Sequence, residues 1–424
     1  MVSVRADRQR AAVLGALVVV ALGQASVGVA RTHRAHATGR SVATVSRGPS
    51  PRPTTTSPTP TTTSSSTAGP RTLNDEIPSL EALVTSALGH DYVRPVRLTL
   101  LDDIRFNIDA SAGSDDVVPG HDTGVTYQAL GLVKDGEAFD MSRADSTDVL
   151  GFYTDGSDTI EMRQGPDTPY RRGILAHELT HALQDQVFGL GKLHAGTHSS
   201  DEDAALSGLL EGEAVSIEKD YRRSLSIADQ KAYDQEEQHA GESVGPSGDL
   251  DRALGADDVF GLLTDFPYDY GDTFVDELHR SYGIGYDALF DNPPRTTLTI
   301  LDPGRWDDDH ANGAGQSEPP APSAHPPAGH SSVDDDTEGS FFVYALLART
   351  TLSNDVRSDA SEWWNGDHLV SWHSGTQDCA TWVVRADTAG HARTLRNDLA
   401  VLAQTRPQGS ATVLDRLVTM QVCG

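Results

Sequence analysis

Hydrophobic and polar positions divide the chain into stretches of different character. Arg5, Arg8 and Arg10 precede an uncharged, largely apolar run from Ala11 to Gly23. Residues 31–72 are rich in Pro, Ser and Thr, and a globular pattern begins at Leu73. Within it, Thr159-Ile160-Glu161-Met162-Arg163 reads as a short strand after the turn Asp155-Gly156-Ser157-Asp158. Thr168 offers a helix N-cap with Pro169 at the first helical position, which predicts a helix to about Phe188 that stops at Gly189. Leu175, Leu179 and Leu183 supply its buried face. A second helix start, Ser200-Asp201-Glu202-Asp203, puts acids in the first turn and leads into Ala204–Tyr221. Phe341–Leu352 reads as a buried helix. Residues 303–337 differ: Pro319-Pro320-Ala321-Pro322 and Pro326-Pro327 lie between Asp307-Asp308-Asp309 and Asp334-Asp335-Asp336. That composition predicts a disordered surface insertion, with His310, His325 and His330 offering at most loose cation binding. No internal repeat is present. The pattern predicts one folded body, residues 73–424, carrying this insertion.

Charge narrows the partners. The 424 residues hold 33 Lys and Arg against 62 Asp and Glu, a net charge of −29. Residues 1–72 carry +8 of this, which leaves −37 on residues 73–424. A nucleic-acid binder needs a basic footprint, so DNA, RNA and anionic lipid are poor partners for the body. Its acidity reads as a solubility device. The N-terminal end addresses the protein. Ser26-Val27-Gly28-Val29-Ala30 places small residues at the −3 and −1 positions of a cut after Ala30, so residues 1–30 outline a signal peptide. Ala11 to Ala30 is also long enough for a transmembrane anchor with a cytoplasmic N-terminus. Either way the body is exported, to the extracellular space or the cell surface, and the membrane is touched only through such an anchor. Residues 31–72 follow as a disordered stalk. Cys379 and Cys423 are the only cysteines, and an exported setting permits a disulfide between them.

The chemistry is concentrated in His177-Glu178-Leu179-Thr180-His181. On a helix, residues four apart are separated by about 40° around the axis, so both imidazoles face one way and can grip one metal ion. Glu178 stands about 100° from His177 and about 60° from His181, near the metal but not aimed at it. A carboxylate so placed can take a proton from an activated water. Two histidines need a third protein ligand if one position is to stay open. A metzincin would place Gly and then His where this chain has Gln184 and Val187. A glutamate from the next helix is the alternative, and Leu209-Leu210-Glu211-Gly212-Glu213-Ala214 supplies two. They point about 200° apart, so only one can serve.

These residues resemble the gluzincin branch of zinc metallopeptidases, many of which carry a Glu-Gly-x-Ala element whose first Glu is the third zinc ligand. The resemblance implies Glu211 in that role, with Glu213 as the alternative, and one Zn2+ per chain. It also implies a tyrosine three residues before a glycine that hydrogen-bonds the tetrahedral intermediate; in Pro267-Tyr268-Asp269-Tyr270-Gly271 that residue is Tyr268. More narrowly, His177–Gln186, the Glu-Gly-Glu-Ala element, Asn292-Pro293-Pro294-Arg295-Thr296-Thr297 and Trp364-Asn365-Gly366-Asp367 resemble a group of bacterial exported metallopeptidase-like proteins. Asp185, four residues after His181, is placed to orient a liganding imidazole. The strand Thr159–Arg163 is similar to the edge strand on which zincins lay an extended substrate.

The expectation is an α+β, zincin-like domain with a small sheet, an active-site helix beneath it and a mostly helical second half. Its expected activity is that of an exported zinc peptidase acting on a peptide or protein. The Gly-x-Met-Glu-Asn loop by which the aminopeptidases capture a free amine is missing, which favours endopeptidase action. Zinc hydrolysis of a non-peptide amide or ester uses the same residues. The reading from another class is a surface binding or scaffold protein with a structural or relic zinc site, and the intact Glu178 argues against it.

Overall fold

A computed structural model of the chain describes residues 72–112, 123–133, 149–243 and 259–424. The expected export segment and nearly all of the stalk lie outside the described residues. Among the described residues no helix is long and apolar enough to cross a membrane.

The chain enters through α1 (Leu73–Leu88), whose N-cap Thr72 donates its backbone N–H to Asp75. Strand β1 (Arg97–Leu101), α2 (Asp103–Ala112), α3 (Thr123–Leu130), β2 (Gly151–Thr154) and β3 (Thr159–Arg163) follow. The three strands form one sheet in the order β1-β3-β2, with β1 parallel and β2 antiparallel to β3. Thr159–Arg163 is therefore a strand at its predicted bounds, but it is central and not an edge. Both of its sides are hydrogen-bonded, so it has no main-chain groups to offer an extended substrate. The β2–β3 turn explains the tight reversal: Gly156 and Asp158 both take positive φ, and Ser157 N–H bonds the Thr154 carbonyl.

The long helix α4 (Pro169–Phe188) packs against α1 and the sheet. Leu175, Leu179 and Leu183 join Leu80 and Val84 of α1 and Ile160 and Met162 of β3 in one buried cluster. The short α5 (Leu190–His194) leads to α6 (Ser200–Ser224). Ser199, one residue earlier than expected, is the N-cap of α6 and accepts from Glu202 N–H. Helix α6 crosses α4 and runs through both halves of the interior. Ala205 and Leu209 sit in the larger core, and Ile217 and Tyr221 sit in the α1–α4 core. Then come α7 (Ile227–Ser243) and α8 (Val259–Glu277), which ends in a π-helical turn at Leu278–Tyr282. Short helices α9 (Tyr286–Asp291), α10 (Thr297–Leu301) and α11 (Pro303–Ala311) follow.

The last third departs from the expected helical second half. After β4 (Asp334–Asp336), α12 (Gly339–Leu347) and α13 (Asn354–Glu362), the chain forms β5 (Trp364–Ser374), β6 (Gln377–Ala386), α14 (Ala389–Ala403), β7 (Gln408–Leu414) and β8 (Leu417–Cys423). Strands β4 to β8 make an antiparallel sheet in the order β4-β5-β6-β8-β7. Its inner face, with Leu369, Trp382, Val384, Val418 and Met420, packs in the larger core with Leu399 of α14. Cys379 and Cys423 are direct partners on β6 and β8, with Cα atoms 4.1 Å apart, and they form a disulfide.

The stretch expected as a disordered insertion is built into this sheet. Trp306 of α11 is buried and donates to the Asn292 carbonyl. The proline-rich segment has no regular backbone, yet it covers the sheet's outer face: Ala324 is 2% exposed and packs with Val370, Trp372 and Val383. Its main chain is held by Ala324 N–H to His368 Nδ1 and Gln316 N–H to Asn292 Oδ1. Prolines lower the entropy lost on ordering, and an apolar sheet face gives the segment something to bury. The motifs around it are structural as well. The Asp367 carboxylate accepts from the indoles of Trp364 and Trp382 and from the N–H groups of Glu338 and Gly339. Thr297 donates its N–H and its hydroxyl to Asp201 at the start of α6.

Candidate metal centre

The helix that carries the histidines is set by its ends. Thr168 accepts from Arg171 N–H, Pro169 occupies the first turn, and Gly189 closes the helix in a left-handed conformation with φ of 74°. From Ile174 to Gln184 every side chain is buried. His177 and His181 lie side by side, with ring centroids 4.9 Å apart.

Helix α6 brings Glu211 to both rings. Its Oε2 lies 3.1 Å from His177 Nε2 and 3.3 Å from His181 Nε2. These three residues form the one group of three or more potential ligands that comes together among the described residues. Glu213 is turned away: its Oε2 accepts from Gln184 Nε2 at 2.7 Å. The roughly 200° between the two glutamates thus separates them as the helix geometry requires.

The electrostatics follow from burial and pairing. Burial works against charge on His177, but the nearby carboxylates, Glu211 hydrogen-bonded to it and Glu218 at 3.5 Å, outweigh it and push the imidazole up to about 10. Burial would raise Glu211, yet the two imidazoles hold its carboxyl at about 2. Glu178 has no such anchor. Burial pushes its carboxyl up to about 7 against the pull of the neighbouring imidazoles, and neither of its buried oxygens has a hydrogen-bond partner. A buried carboxyl without partners is costly to keep.

Tyr268 comes to the same place from α8. Its ring centroid is 6.4 Å from that of His177, with the rings inclined at 26°. The approach depends on glycines: a methyl group on Gly271 would run into the Gly208 carbonyl, and one on Gly212 would run into the backbone of Gly271. The backbones of α6 and α8 therefore touch, and Tyr268, three residues before Gly271, is carried toward α4.

Asp185 does not orient an imidazole. Its carboxylate accepts from Tyr153 Oη at 2.8 Å, Gly156 N–H at 2.7 Å and Leu190 N–H at 3.1 Å. It pins the β2–β3 turn and the start of α5 to the end of α4. One helical turn past His181, these closer donors capture it first. Residues not singled out from sequence face the Nδ1 atoms of the rings instead. His177 Nδ1 faces Glu218 Oε2 at 3.5 Å, and Glu218 also accepts from the Tyr233 hydroxyl. His181 Nδ1 lies 2.9 Å from Gln184 Oε1. The signal for Glu218 was available: it follows Glu211 by seven residues, two helical turns, and so shares its face.

A family model described as a domain of unknown function (DUF8575) matches residues 327–422. That span covers α12, α13 and most of the five-stranded sheet, and it contains none of His177, Glu178, His181, Glu211 or Tyr268. No curated protein matches the chain, and no solved structure does.

Proposed function

We propose that the chain is an exported zinc-dependent peptidase of the gluzincin kind, with a zincin-like arrangement of its small sheet, α4 and α6. One observation carries the proposal: two imidazole nitrogens and a carboxylate oxygen converge in a buried site, beside a glutamate whose carboxylate has no partner in the protein. The donor set suits zinc. Two donors each about 2.1 Å from a tetrahedral zinc stand about 3.4 Å apart, close to the 3.1 and 3.3 Å separating Glu211 from the two imidazoles. His177, His181 and Glu211 would hold the ion. Zinc so bound supplies Lewis acidity, which polarises a carbonyl and acidifies water.

The protein's own groups supply the rest. Glu178 is buried beside the two imidazoles, and neither of its oxygens is hydrogen-bonded. It can take a proton from an attacking water and return it to the departing amine. Tyr268 would donate a hydrogen bond to the oxygen of the substrate carbonyl as charge develops there. Glu178 also argues against a purely structural ion, which has no use for an unpartnered carboxylate beside it. Endopeptidase action is favoured because no Gly-x-Met-Glu-Asn loop is present to capture a free amine.

Elemental analysis of the purified chain should find about one zinc per molecule in the wild type and none in His177→Ala. Glu178→Gln should keep the zinc and lose casein or peptide-library hydrolysis by at least about 100-fold. Full activity in Glu178→Gln would sink the assigned mechanism. A wild type that takes up no zinc even when supplied with it would sink the metallopeptidase reading.

A further inference from the structure

Gln184 lies three residues beyond His181 on α4 and is fully buried. Its side-chain nitrogen reaches two acceptors, the Leu210 carbonyl at 3.1 Å and Glu213 Oε2 at 2.7 Å. A primary amide has two N–H donors and one carbonyl. Both donors are therefore committed, and the amide has one workable orientation. Turned over, its carbonyl would face the Leu210 carbonyl, which can only accept, and that hydrogen bond would be lost. The remaining atom, Oε1, lies 2.9 Å from His181 Nδ1 and can only accept. His181 must then carry a proton on Nδ1. In the neutral ring this leaves the lone pair on Nε2, the atom that lies 3.3 Å from Glu211 Oε2 and has no hydrogen-bond partner.

We propose that Gln184, anchored by Glu213 and the Leu210 carbonyl, is a positioning residue that fixes the metal-binding tautomer of His181. The same contacts set the spacing of the two helices that carry the site. Leu210 and Glu213 flank Glu211 on α6, so the amide that orients one ligand also holds α6 at the distance at which Glu211 meets it. The two glutamates of Glu211-Gly212-Glu213 thereby divide the work: Glu211 faces the imidazoles, and Glu213 holds the group that orients one of them. The proposal rests on the metal-centre reading above, but its tautomer argument stands on the hydrogen bonds alone.

Two measurements on the full chain separate them. Zinc affinity is read by competition with a chromophoric chelator, and the His181 tautomer is read by long-range 1H–15N NMR on chelator-treated, 15N-histidine-labelled protein. Glu213→Leu removes an anchor, whereas Glu213→Gln keeps an acceptor for the Gln184 N–H and serves as the rescue. Wild type and Glu213→Gln should show His181 protonated on Nδ1 and share one zinc affinity. Glu213→Leu and the near-isosteric Gln184→Met should show mixed tautomers and bind zinc about 10- to 100-fold more weakly. Equal zinc affinity and an unchanged tautomer in Glu213→Leu and Glu213→Gln would overturn the proposal. If the wild type binds no zinc, the metal-centre reading fails, and the tautomer in Glu213→Leu against Glu213→Gln still decides the role of Gln184. Gln184→Met is read only where its circular dichroism matches the wild type, and the Glu213 pair carries the test without it.

Discussion

His177 has two carboxylates within reach, Glu211 on Nε2 and Glu218 on Nδ1, and burial does not prevent it from holding a proton to about pH 10 when no cation is present. A cation using the Nε2 lone pair must displace that proton. Apparent zinc affinity should therefore rise about tenfold per pH unit across the neutral range, with about one proton released per ion bound. Calorimetry in buffers of different ionisation enthalpy would count the proton, and a pH-independent affinity would refute the pairing. The sign for stability is opposite for the two partners. In chelator-treated protein the raised His177 supports the fold fully below its ordinary 6.5, and that support is lost as pH rises toward about 10. The depressed Glu211 supports it above its ordinary 4.5, and that support is lost as pH falls toward about 2. At this scale the sequence was legible where spacing alone decides. His177, Glu178 and His181 follow from one helical repeat. The choice between Glu211 and Glu213 does not, because it depends on how α6 is rotated against α4. Asp185 shows the converse: its spacing fits the face of the two histidines, but a turn distant in sequence and the start of the next helix offer it better donors.

Between elements, the crossing of α6 and α8 decides whether the site assembles. Gly208, Gly212 and Gly271 let the two backbones meet, and this contact carries Tyr268 toward His177. Gly212→Ala would force a methyl group into the backbone of Gly271, a change that overpacking data put at about 1–3 kcal/mol. Urea unfolding should show a lower midpoint for this variant, and an unchanged midpoint would mean that the helices are not in contact there. Helix ends were readable for a local reason: Thr168, Pro169 and Gly189 act within one turn of themselves. The glycine contact was not, because nothing near Gly212 in sequence announces a partner 59 residues away. The same distinction explains β3. Its extent is written in its own residues, whereas its central position is fixed by β1 and β2, which pair with it from both sides.

For the whole molecule, the question is whether the region matched by the family model, residues 327–422, is a unit of folding as well as of sequence. Its packing says that it is not. Phe341, Phe342 and Leu346 of α12 share a core with Leu130, Leu132, Leu209 and Phe274, all of which lie outside the match. Helix α3 packs on β5, β6 and β8, and the Leu130 and Gln128 carbonyls accept from Arg349 and Arg406. The outer face of the sheet is closed by Ala324, again from outside. The Cys379–Cys423 bond cannot replace these surfaces, since it joins two strands that are already neighbours. Residues 327–424 produced alone with the disulfide formed should therefore expose the α12 aromatics, bind a hydrophobic dye and melt without a sharp transition. A dispersed amide spectrum and a cooperative melt for that fragment would contradict the shared core. The same continuity makes α6 the structural link to the site. Asp201 at its start is tied through Thr297 to α10, and Thr297 is tied in turn to Phe341 of α12; Glu211, further along, stands between the two histidines. A sheet that bears none of the three candidate ligands thus braces the helix that bears Glu211, which is why the candidate metal centre needs the whole body and not only the helix with the histidines.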